Sequence, residues 1–321
     1  MSTRNSKRMT RLNVYSSQQA DPKSTRDNNE NLLTLGGLTV EQDTLVRVLE
    51  PAGAASAVLC QRLRAGTYDK PFLVDDGKYR ALCFAIDGSI QSEMRVDEPE
   101  TLVNAYTRKM MAFLLFCPRP RHVLLLGLGG GSLVKFCHRN LPTTRLTAVE
   151  IDANVIALRS HFHIPPDGSD LRVIHADGAR HVADMAGTEE RIDVLLVDAY
   201  DRKGIAQSVA EPEFFENARR VLSDDGVFVM NLAAYESDCA THLRVIRAVF
   251  GEPVIPVPVG WGGNTVVFAG PALRDRRCLA AAPKRARRVQ EKLDLSFPKL
   301  PGLLSEYLQH GPPAEAGSEI G

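Results

Sequence analysis

The length, composition and charge of this chain exclude several classes of protein. It has 321 residues, 44% of them apolar, and its 39 basic and 39 acidic residues give a net charge of zero. Such a length suits one large α/β domain with a smaller partner, and balanced charge provides no global field to attract nucleic acid or an anionic membrane. The longest apolar run, 110–117, is too short to cross a bilayer. The six scattered cysteines form no CxxC pair, which indicates reduced cytosolic thiols.

The N-terminal third divides into two regions by composition. Residues 1–31 are polar, so we predict a disordered arm, and they lack the apolar segment that a secretory signal needs. Residues 32–98 carry short strand-like runs at 57–60, 71–74 and 79–86, with turn-forming residues at 75–78 and 87–88. We therefore predict a small β-rich N-terminal domain over 32–98, whose unsatisfied strand edges could serve a homodimer.

Residues 99–272 show alternating strand and helix patterns. A helix is predicted at 100–116, because apolar residues recur there at helical spacing before two prolines. Almost uniformly apolar strands are predicted at 122–127, 145–150, 171–175, 192–198 and 226–231, and helices at 131–140, 152–161, 178–186, 211–222 and 237–250. Strands of this kind are typical of a parallel sheet with helices on both faces.

The last two predicted strands, 253–259 and 264–269, are joined by only four residues, Gly260-Trp261-Gly262-Gly263, and must be antiparallel. A parallel sheet closed by such a hairpin predicts an α/β, class I methyltransferase-like, doubly wound fold. Trp261 is predicted to pack in the hairpin. Residues 273–321 are predicted to form a peripheral helical tail, with a basic segment around 284–293.

The strongest motif is a glycine-rich turn between a buried strand and a helix. Glycine allows a tight turn and close approach to a ligand, and the helix N-terminus offers free N–H groups. A dinucleotide fingerprint would place glycine at 132, where this chain has Ser132. The spacing through Gly127, Gly129 and Gly131 instead favours an adenosyl-sulfonium ligand over NAD. The alternative is a turn that binds nothing.

Acidic residues follow two of the predicted strands. Glu150 ends the second strand, followed by Ile151, and a carboxylate there can accept hydrogen bonds from both ribose hydroxyls. Its alternative role, capping the next helix, suits Asp152 better. Asp177, followed by Gly178, either accepts from the adenine amino group or caps the next helix. We predict cofactor contacts at Glu150, Ile151, Asp177 and Gly178.

Two further aspartates, Asp198 and Asp201, lie at the end of the fourth predicted strand. Ligands of open α/β sheets bind outside these strand ends. A pair of carboxylates can hold a cationic amine and accept its proton, and we expect their like charges to raise the pKa of one of them. The alternative is that one aspartate only caps the turn. A second pair, His161 and His163, has no cysteine or acid beside it, so no metal site is predicted.

Taken together, these residues resemble the spermidine/spermine synthase (polyamine aminopropyltransferase) family, in its divergent bacterial spermidine synthase-like branch. The similarity covers about 72–270. The matching segments are Ile86–Ser92 for the family's LDGxxQ, Asp97-Glu98 for its DE, Asp198–Asp201 for its DSxD, and Glu213-Phe214-Phe215 for its EFY.

The resemblance implies that decarboxylated S-adenosylmethionine donates an aminopropyl group to a putrescine-like amine and leaves as methylthioadenosine. It implies that Asp198 accepts the proton of the attacking amine, that Gln91 lines the cofactor pocket and that Tyr106 binds substrate. Glu150 and Asp177 match the ribose and adenine acids. No permanently bound cofactor, metal, nucleic-acid or membrane partner is expected, and the enzyme is expected in the cytoplasm.

The chain also departs from the family pattern. Gly130 stands where the family has an aspartate that helps bind the donor's amine end, Arg108 replaces an acid, and Arg202 replaces a proline. A cation suits a carboxylate better than a polyamine. Two alternatives therefore stay open: a methyltransferase, with Arg108 pairing the carboxylate of S-adenosylmethionine, and a non-catalytic nucleoside- or polyamine-binding regulator.

Overall fold

The computed structural model describes residues 25–26, 31–36, 38, 44–51, 53–86, 88, 90–202, 204–233, 239–260 and 263–310. Most of the arm predicted at 1–31, and Trp261, lie outside these residues. By its internal contacts the chain divides into two compact units. The first contains 1–104, 129–136 and 152–165, and the second contains 105–128, 137–151 and 166–321. The domain boundaries predicted from the sequence remain a proposal.

The first unit contains a six-stranded antiparallel sheet in which neighbours in sequence pair in order. Its strands are β1 (Thr25–Arg26), β2 (Leu32–Leu35), β3 (Leu45–Leu49), β4 (Phe72–Asp75), β5 (Tyr79–Cys83) and β6 (Ile90–Arg95). The hairpin predicted at 75–78 is present, with Asp75 opposite Arg80. The strand β1 pairs with β2 and lies within the predicted polar arm.

One prediction in this region is wrong, because residues 57–60 belong to the helix α1 (Ser56–Arg64) and not to a strand. Its buried residues, Leu59, Cys60 and Leu63, recur at the spacing of a helix face. A four-residue apolar run is shorter than that repeat, so the run alone could not distinguish a helix from a strand.

The first unit also contains two later segments of the chain, 129–136 and 152–165. It includes the start of α3 (Ser132–Asn140), the helix α4 (Ala153–Ala157) and a 3₁₀ segment, Arg159–Phe162. Asp152 accepts a hydrogen bond from the Asn154 N–H at 2.8 Å, which confirms it as the cap of α4. The single helix predicted at 152–161 is therefore interrupted: α4 ends at Ala157, the next residue, Leu158, has a ψ of 1°, and the 3₁₀ segment follows.

The second unit contains a seven-stranded sheet in the order β14-β15-β13-β10-β7-β8-β9. The strands are β7 (His122–Leu126), β8 (Arg145–Glu150), β9 (Leu171–His175), β10 (Ile192–Val197), β13 (Leu222–Leu232), β14 (Ile255–Pro258) and β15 (Thr265–Ala269). Five neighbouring strands pair in parallel, in the order β13, β10, β7, β8 and β9, whereas β15 is antiparallel to both β13 and β14. The predicted class I methyltransferase-like fold is confirmed.

The helices of the second unit follow most of the predicted alternation, but the helix predicted at 100–116 is shorter, because helical structure begins at Ala105 and becomes a 3₁₀ segment at Met111. They are α2 (Ala105–Met110), α5 (Gly178–Ala186), α6 (Pro212–Val221), α7 (Cys239–Phe250), α8 (Pro271–Arg274), α9 (Arg276–Leu293) and α10 (Leu300–His310), with 3₁₀ segments at Met111–Leu115 and Gln207–Val209. A two-strand hairpin, β11 (Tyr200–Asp201) and β12 (Gly204–Ile205), follows β10. Within the described ranges, every helix is too short or too polar to span a bilayer.

The core of the second unit holds the parallel strands in fixed register. Every residue of β7 and β10 is buried, and the rings of Phe228 and Phe250 stack with centroids 4.9 Å apart. Each large apolar side chain buried in this way contributes about 1.5–3 kcal/mol relative to exposure. The sheet is therefore a rigid base for the polar residues that follow its strands.

Candidate active site

The register of the parallel strands places four predicted or polar site positions side by side. Val197 of β10 pairs with Met230 of β13 and with Leu126 of β7, and Leu126 pairs with Val149 of β8. The residues that come next along these four strands are Asn231, Asp198, Gly127 and Glu150. Because adjacent strands lie about 4.8 Å apart, Asp198 and Glu150 flank the glycine turn at roughly 10 Å separation.

Asp198 is partly accessible and is held by two side chains of the second unit. The Asn231 side-chain amide donates to its Oδ1 at 2.9 Å, and the Tyr106 hydroxyl also hydrogen-bonds to the carboxylate. Its own N–H donates to the carbonyl of Leu126 at 2.9 Å. The structure therefore brings together two residues that the sequence singled out separately, Asp198 and Tyr106.

The pKa of Asp198 is raised above its ordinary value because the carboxyl is buried, and the hydrogen bonds from Asn231 and Tyr106 oppose this shift. The sequence predicted a raised pKa from the like charge of Asp201, and that cause is wrong. Asp201 is exposed on β11, where it pairs with Gly204 and makes no resolved contribution to the shift. Burial, and not a neighbouring carboxylate, tunes Asp198.

A network of polar groups fixes the orientation of Asn231. Its side-chain oxygen accepts from the Asn264 amide at 2.9 Å, so its NH₂ group must face Asp198. Its backbone carbonyl accepts from the Tyr200 hydroxyl at 2.8 Å, and that hydroxyl accepts from the Ala233 N–H. Asn231 is only 3% exposed, so the amide is pre-positioned for the carboxylate.

Glu150 ends β8 with its side chain turned to the glycine turn. Its Oε2 accepts the backbone N–H of Leu128 at 2.8 Å, and its backbone carbonyl accepts from Ala176. The residue is buried to 8% exposure, so this bond fixes the carboxylate at the turn. A fixed carboxylate at this position suits the ribose role predicted for it, which stays a prediction.

The neighbours of Glu150 differ in how they fit the predicted cofactor contacts. Ile151 is 61% exposed, which makes it the most exposed of the three exposed large apolar side chains among the described residues. Asp177 accepts from the Arg180 N–H at 2.9 Å and caps α5, which is the alternative that the sequence left open. Gly178 begins α5, and a Cβ there would lie 3.3 Å from Leu126. The adenine contact of Asp177 stays a prediction beside its capping role.

The first glycine of the turn is required by a close backbone approach. Gly127 has a φ of +92°, and a Cβ on it would lie 2.2 Å from the carbonyl oxygen of Asp198. No side chain fits this position without moving β10. Gly127 therefore links the geometry of the turn directly to that of Asp198.

The other glycines of the turn belong to the first unit, as does Gln91 on β6. Gly129 and Gly131 have positive φ, and a Cβ on Gly131 would lie 2.4 Å from Ile164. A Cβ on Gly130 would lie 2.8 Å from the Ser92 hydroxyl, next to Gln91, and 2.9 Å from the Phe162 ring. The absence of a side chain at 130 is therefore matched by the packing around it.

The remaining departures and the histidine pair add no ligand cluster. Partial burial lowers the pKa of the Arg108 guanidinium, on α2 with Tyr106, and Arg202 is exposed. Among the residues that the structure describes, no group of three His, Cys, Asp or Glu side chains could hold a metal. The backbone carbonyl of His161 accepts a hydrogen bond from Arg80.

Three residues of this region escaped the sequence reasoning. Asn231 was visible as a polar residue that interrupts an otherwise apolar strand, Val227 to Leu232. Lys135 was visible as a lysine on the first turn of the helix after the glycines, where it is 2% exposed. The contact of Phe162 with Gly130 has no signal in the sequence, because it depends on how distant segments pack.

Comparison with known proteins identifies the family to which this chain is similar. The Spermine/spermidine synthase domain family matches residues 103–249. A polyamine aminopropyltransferase of Neisseria meningitidis is 34% identical over 70% of this chain and 85% of its own length, and one of Chromobacterium violaceum is 35% identical over 70% and 84%. A spermidine synthase solved with the transition-state analogue AdoDATO has a TM-score of 0.53, at 16% identity, and covers 74% of this chain and 86% of its own.

The likeness to the solved structure establishes the fold alone at that identity. The two bacterial relatives carry the argument further, because they are at least 34% identical to this chain and the match covers most of their own length. Polyamine aminopropyltransferases are transferase enzymes. This chain belongs to the spermidine/spermine synthase family.

Proposed function

We propose that this protein is a polyamine aminopropyltransferase, which moves the aminopropyl group of decarboxylated S-adenosylmethionine to a putrescine-like amine. The proposal rests above all on Asp198. The residue is partly accessible, and its carboxylate combines a raised pKa with two fixed hydrogen-bond donors at the carboxyl edge of a parallel sheet. These are the properties of a group placed to take a proton from a bound amine.

The nucleoside half of the donor is proposed to lie over Gly127 and β8. Glu150, fixed by the Leu128 N–H, accepts hydrogen bonds from the ribose hydroxyls. The exposed Ile151 supplies an apolar surface that adenine covers, which removes that surface from water. Asp177 and Gly178 border the adenine edge. The relative bound to AdoDATO supports a donor of this kind.

The reaction is a single displacement at the carbon next to the sulfonium. The amine nitrogen forms a bond to that carbon as the carbon–sulfur bond breaks, and the bonding electrons leave on sulfur as methylthioadenosine. An ammonium has no lone pair, so the amine must lose a proton to Asp198. Burial raises the pKa of Asp198, which makes its carboxylate a stronger base than an ordinary one.

Other positions are assigned roles within the same proposal. The Tyr106 hydroxyl orients Asp198 and borders the amine, and the exposed Asp201 holds the distant ammonium of a diamine. Gln91, Gly129 and Gly131 keep their predicted roles at the cofactor. The free thiols of all six cysteines suit a reducing compartment, which supports a cytosolic location.

Methyl transfer from S-adenosylmethionine is the second candidate, and one observation favours it. The position at which the resemblance places a donor-binding aspartate is Gly130, and Ser92 and Phe162 fill the space that a side chain would need. The donor's amine end therefore meets no acid there. A donor that carries its own carboxylate has less need of one, and Arg108 offers a cation for it.

Calorimetric titration with both sulfonium donors separates the two candidates. We expect decarboxylated S-adenosylmethionine to bind at least ten times more tightly than S-adenosylmethionine, because the carboxylate of the latter would meet the acidic edge around Asp198 and Asp201. Preference for the carboxylated donor would favour methyl transfer. The variant Arg108→Gln provides the matched control. Only methyl transfer predicts that this substitution weakens the binding of S-adenosylmethionine.

A further inference from the structure

Lys135 occupies an uncommon position for a lysine. It lies on α3, one turn after the glycines, and its own N–H donates to the Gly131 carbonyl at 2.8 Å. Only 2% of the residue is exposed, whereas lysines are almost never buried unless they are paired. Its Nζ donates to the backbone carbonyl of Phe162 at 2.7 Å and lies 5.9 Å from the centroid of the Phe162 ring. The lysine is thus held by the 3₁₀ segment that follows α4.

That same segment supports the glycine turn. The Phe162 ring lies against Gly130, where a Cβ would be 2.9 Å from it, and the Ile164 side chain lies against Gly131. Lys135 therefore connects the helix that begins at the turn with the residues that pack beneath the turn. Both connections lie within the first unit.

We infer that Lys135 is a positioning residue for donor binding: by holding the Phe162 carbonyl, it presses Phe162 and Ile164 against the glycine turn and fixes the backbone on which the nucleoside lies. This inference rests on the proposed function, because it concerns the same nucleoside site. Lys135 touches no substrate and acts only through the turn.

Three charged or titratable groups act on Lys135. Glu100, which follows β6, favours its charged form, and Arg80 of β5 opposes it. His163 also lies near, and burial lowers its pKa, which favours its neutral form. Burial lowers the pKa of Lys135 to about 7. Only the protonated ammonium makes a charge-assisted hydrogen bond and a cation–π contact, so the hold on Phe162 weakens as the pH rises through that value.

Methylthioadenosine is a suitable probe because it is a neutral nucleoside across this pH range. We expect its dissociation constant for the wild-type protein to rise several-fold from pH 6 to pH 8.5. Lys135→Met fills the same buried volume without a donor, and we expect it to weaken binding about tenfold at pH 6 and little at pH 8.5. Lys135→Arg keeps a permanent charge and should bind with an affinity that does not depend on pH.

Two further readouts separate positioning from a purely structural role. In Lys135→Met the KM of the donor should rise while kcat changes less than about threefold, since the base is untouched. Hydrogen exchange at Gly129–Gly131 should be faster in the unliganded variant than in the wild type. Lys284→Met, which removes an exposed lysine from α9, serves as the matched control and should change none of these quantities.

The possible results distinguish this inference from the proposed function. If the wild type binds methylthioadenosine and folded Lys135→Met binds it equally at pH 6, the inference is overturned and the proposed function stands. If Lys135→Met does not fold, the inference is overturned when the affinity of Lys135→Arg for methylthioadenosine depends on pH. If the wild type binds no nucleoside although the exchange difference persists, the hold on the turn is supported and the proposed nucleoside function fails.

Discussion

Replacing Asp198 by asparagine removes one proton acceptor while preserving the shape of the site. In the wild type the Asn231 side-chain nitrogen lies 2.9 Å from Oδ1 of Asp198. In the variant it can still donate to the side-chain oxygen of the new asparagine. The new amide faces the Tyr106 hydroxyl, which can accept as well as donate. Asp198→Asn is therefore expected to fold, to bind donor normally and to lose turnover.

The size of the loss follows from the role of the carboxylate. A positioned general base contributes about 10²–10⁴-fold, so kcat should fall by that factor with the KM of the donor unchanged. Stability should move in the opposite direction. Because the pKa of Asp198 is raised by burial, its neutral form stabilises the fold below about pH 4, and that contribution is lost as the pH rises through the raised value. Asp198→Asn should therefore be as stable as the wild type at pH 7, or more stable.

The protonation of Asp198 should also determine how the rate depends on pH. The wild-type rate should fall as the pH drops through the raised pKa of Asp198, since the protonated acid cannot accept a proton. Asn231→Leu removes a hydrogen bond that lowers this pKa, so the acid limb should move to higher pH. Steady-state release of methylthioadenosine between pH 5 and 9 measures both effects. Asp224→Asn is the control, because that carboxylate is exposed near the start of β13 and has no part in the proposed site.

This reasoning would be refuted by an Asp198→Asn enzyme that keeps more than about a tenth of wild-type turnover. It would also be refuted by a variant that loses both donor binding and stability, because the role of Asp198 would then be structural. An acid limb that stays in place in Asn231→Leu would show that the limb belongs to another group.

Two other substitutions test the nucleoside edge of the site. Glu150→Gln should raise the dissociation constant of methylthioadenosine about 10- to 100-fold, equivalent to the 1.5–3 kcal/mol or so of hydrogen bonds to a charged group, whereas Asp152→Asn keeps a helix cap and should not. If calorimetry gave equal affinities for the wild type and Glu150→Gln, Glu150 would not contact the ribose. Gly127→Ala forces a Cβ to 2.2 Å from the Asp198 carbonyl. It should reduce the free energy of unfolding by more than the roughly 1–2 kcal/mol of a left-handed residue. Gly66→Ala, with φ +66° and open space, isolates that smaller cost in denaturant titrations, and equal losses would contradict the collision.

The sequence predicted the sheet well because its central strands are buried on both faces. The apolar runs of β7 and β10 admit few other structures, and a four-residue connection leaves only an antiparallel pairing for the last hairpin. Prediction failed where local pattern and tertiary packing disagree. The apolar run of α1 is too short for its periodicity to distinguish a helix from a strand. The helix predicted at 152–161 gives way to a 3₁₀ segment whose Phe162 packs on Gly130, and Ile164, two residues further on, packs on Gly131.

The candidate site was predictable where position along a strand determines it. Glu150 and Asp198 each stand at a strand end, and parallel strands bring such ends to one edge. The cause of the raised pKa of Asp198 was not predictable, because burial depends on the surrounding fold and not on the spacing to Asp201. The partner Asn231 could be recognised only as an anomaly in its strand, and its pairing required the register between β10 and β13.

The most direct test of aminopropyl transfer follows the fate of the carbon atoms. The purified protein is given putrescine and decarboxylated S-adenosylmethionine labelled with ¹³C in the three-carbon chain, and the products are identified by mass spectrometry. We expect labelled spermidine and unlabelled methylthioadenosine in equal amounts. A second mixture contains putrescine and S-adenosylmethionine. Aminopropyl transfer would be contradicted if this mixture gave S-adenosylhomocysteine and a methylated amine while the first gave no labelled spermidine.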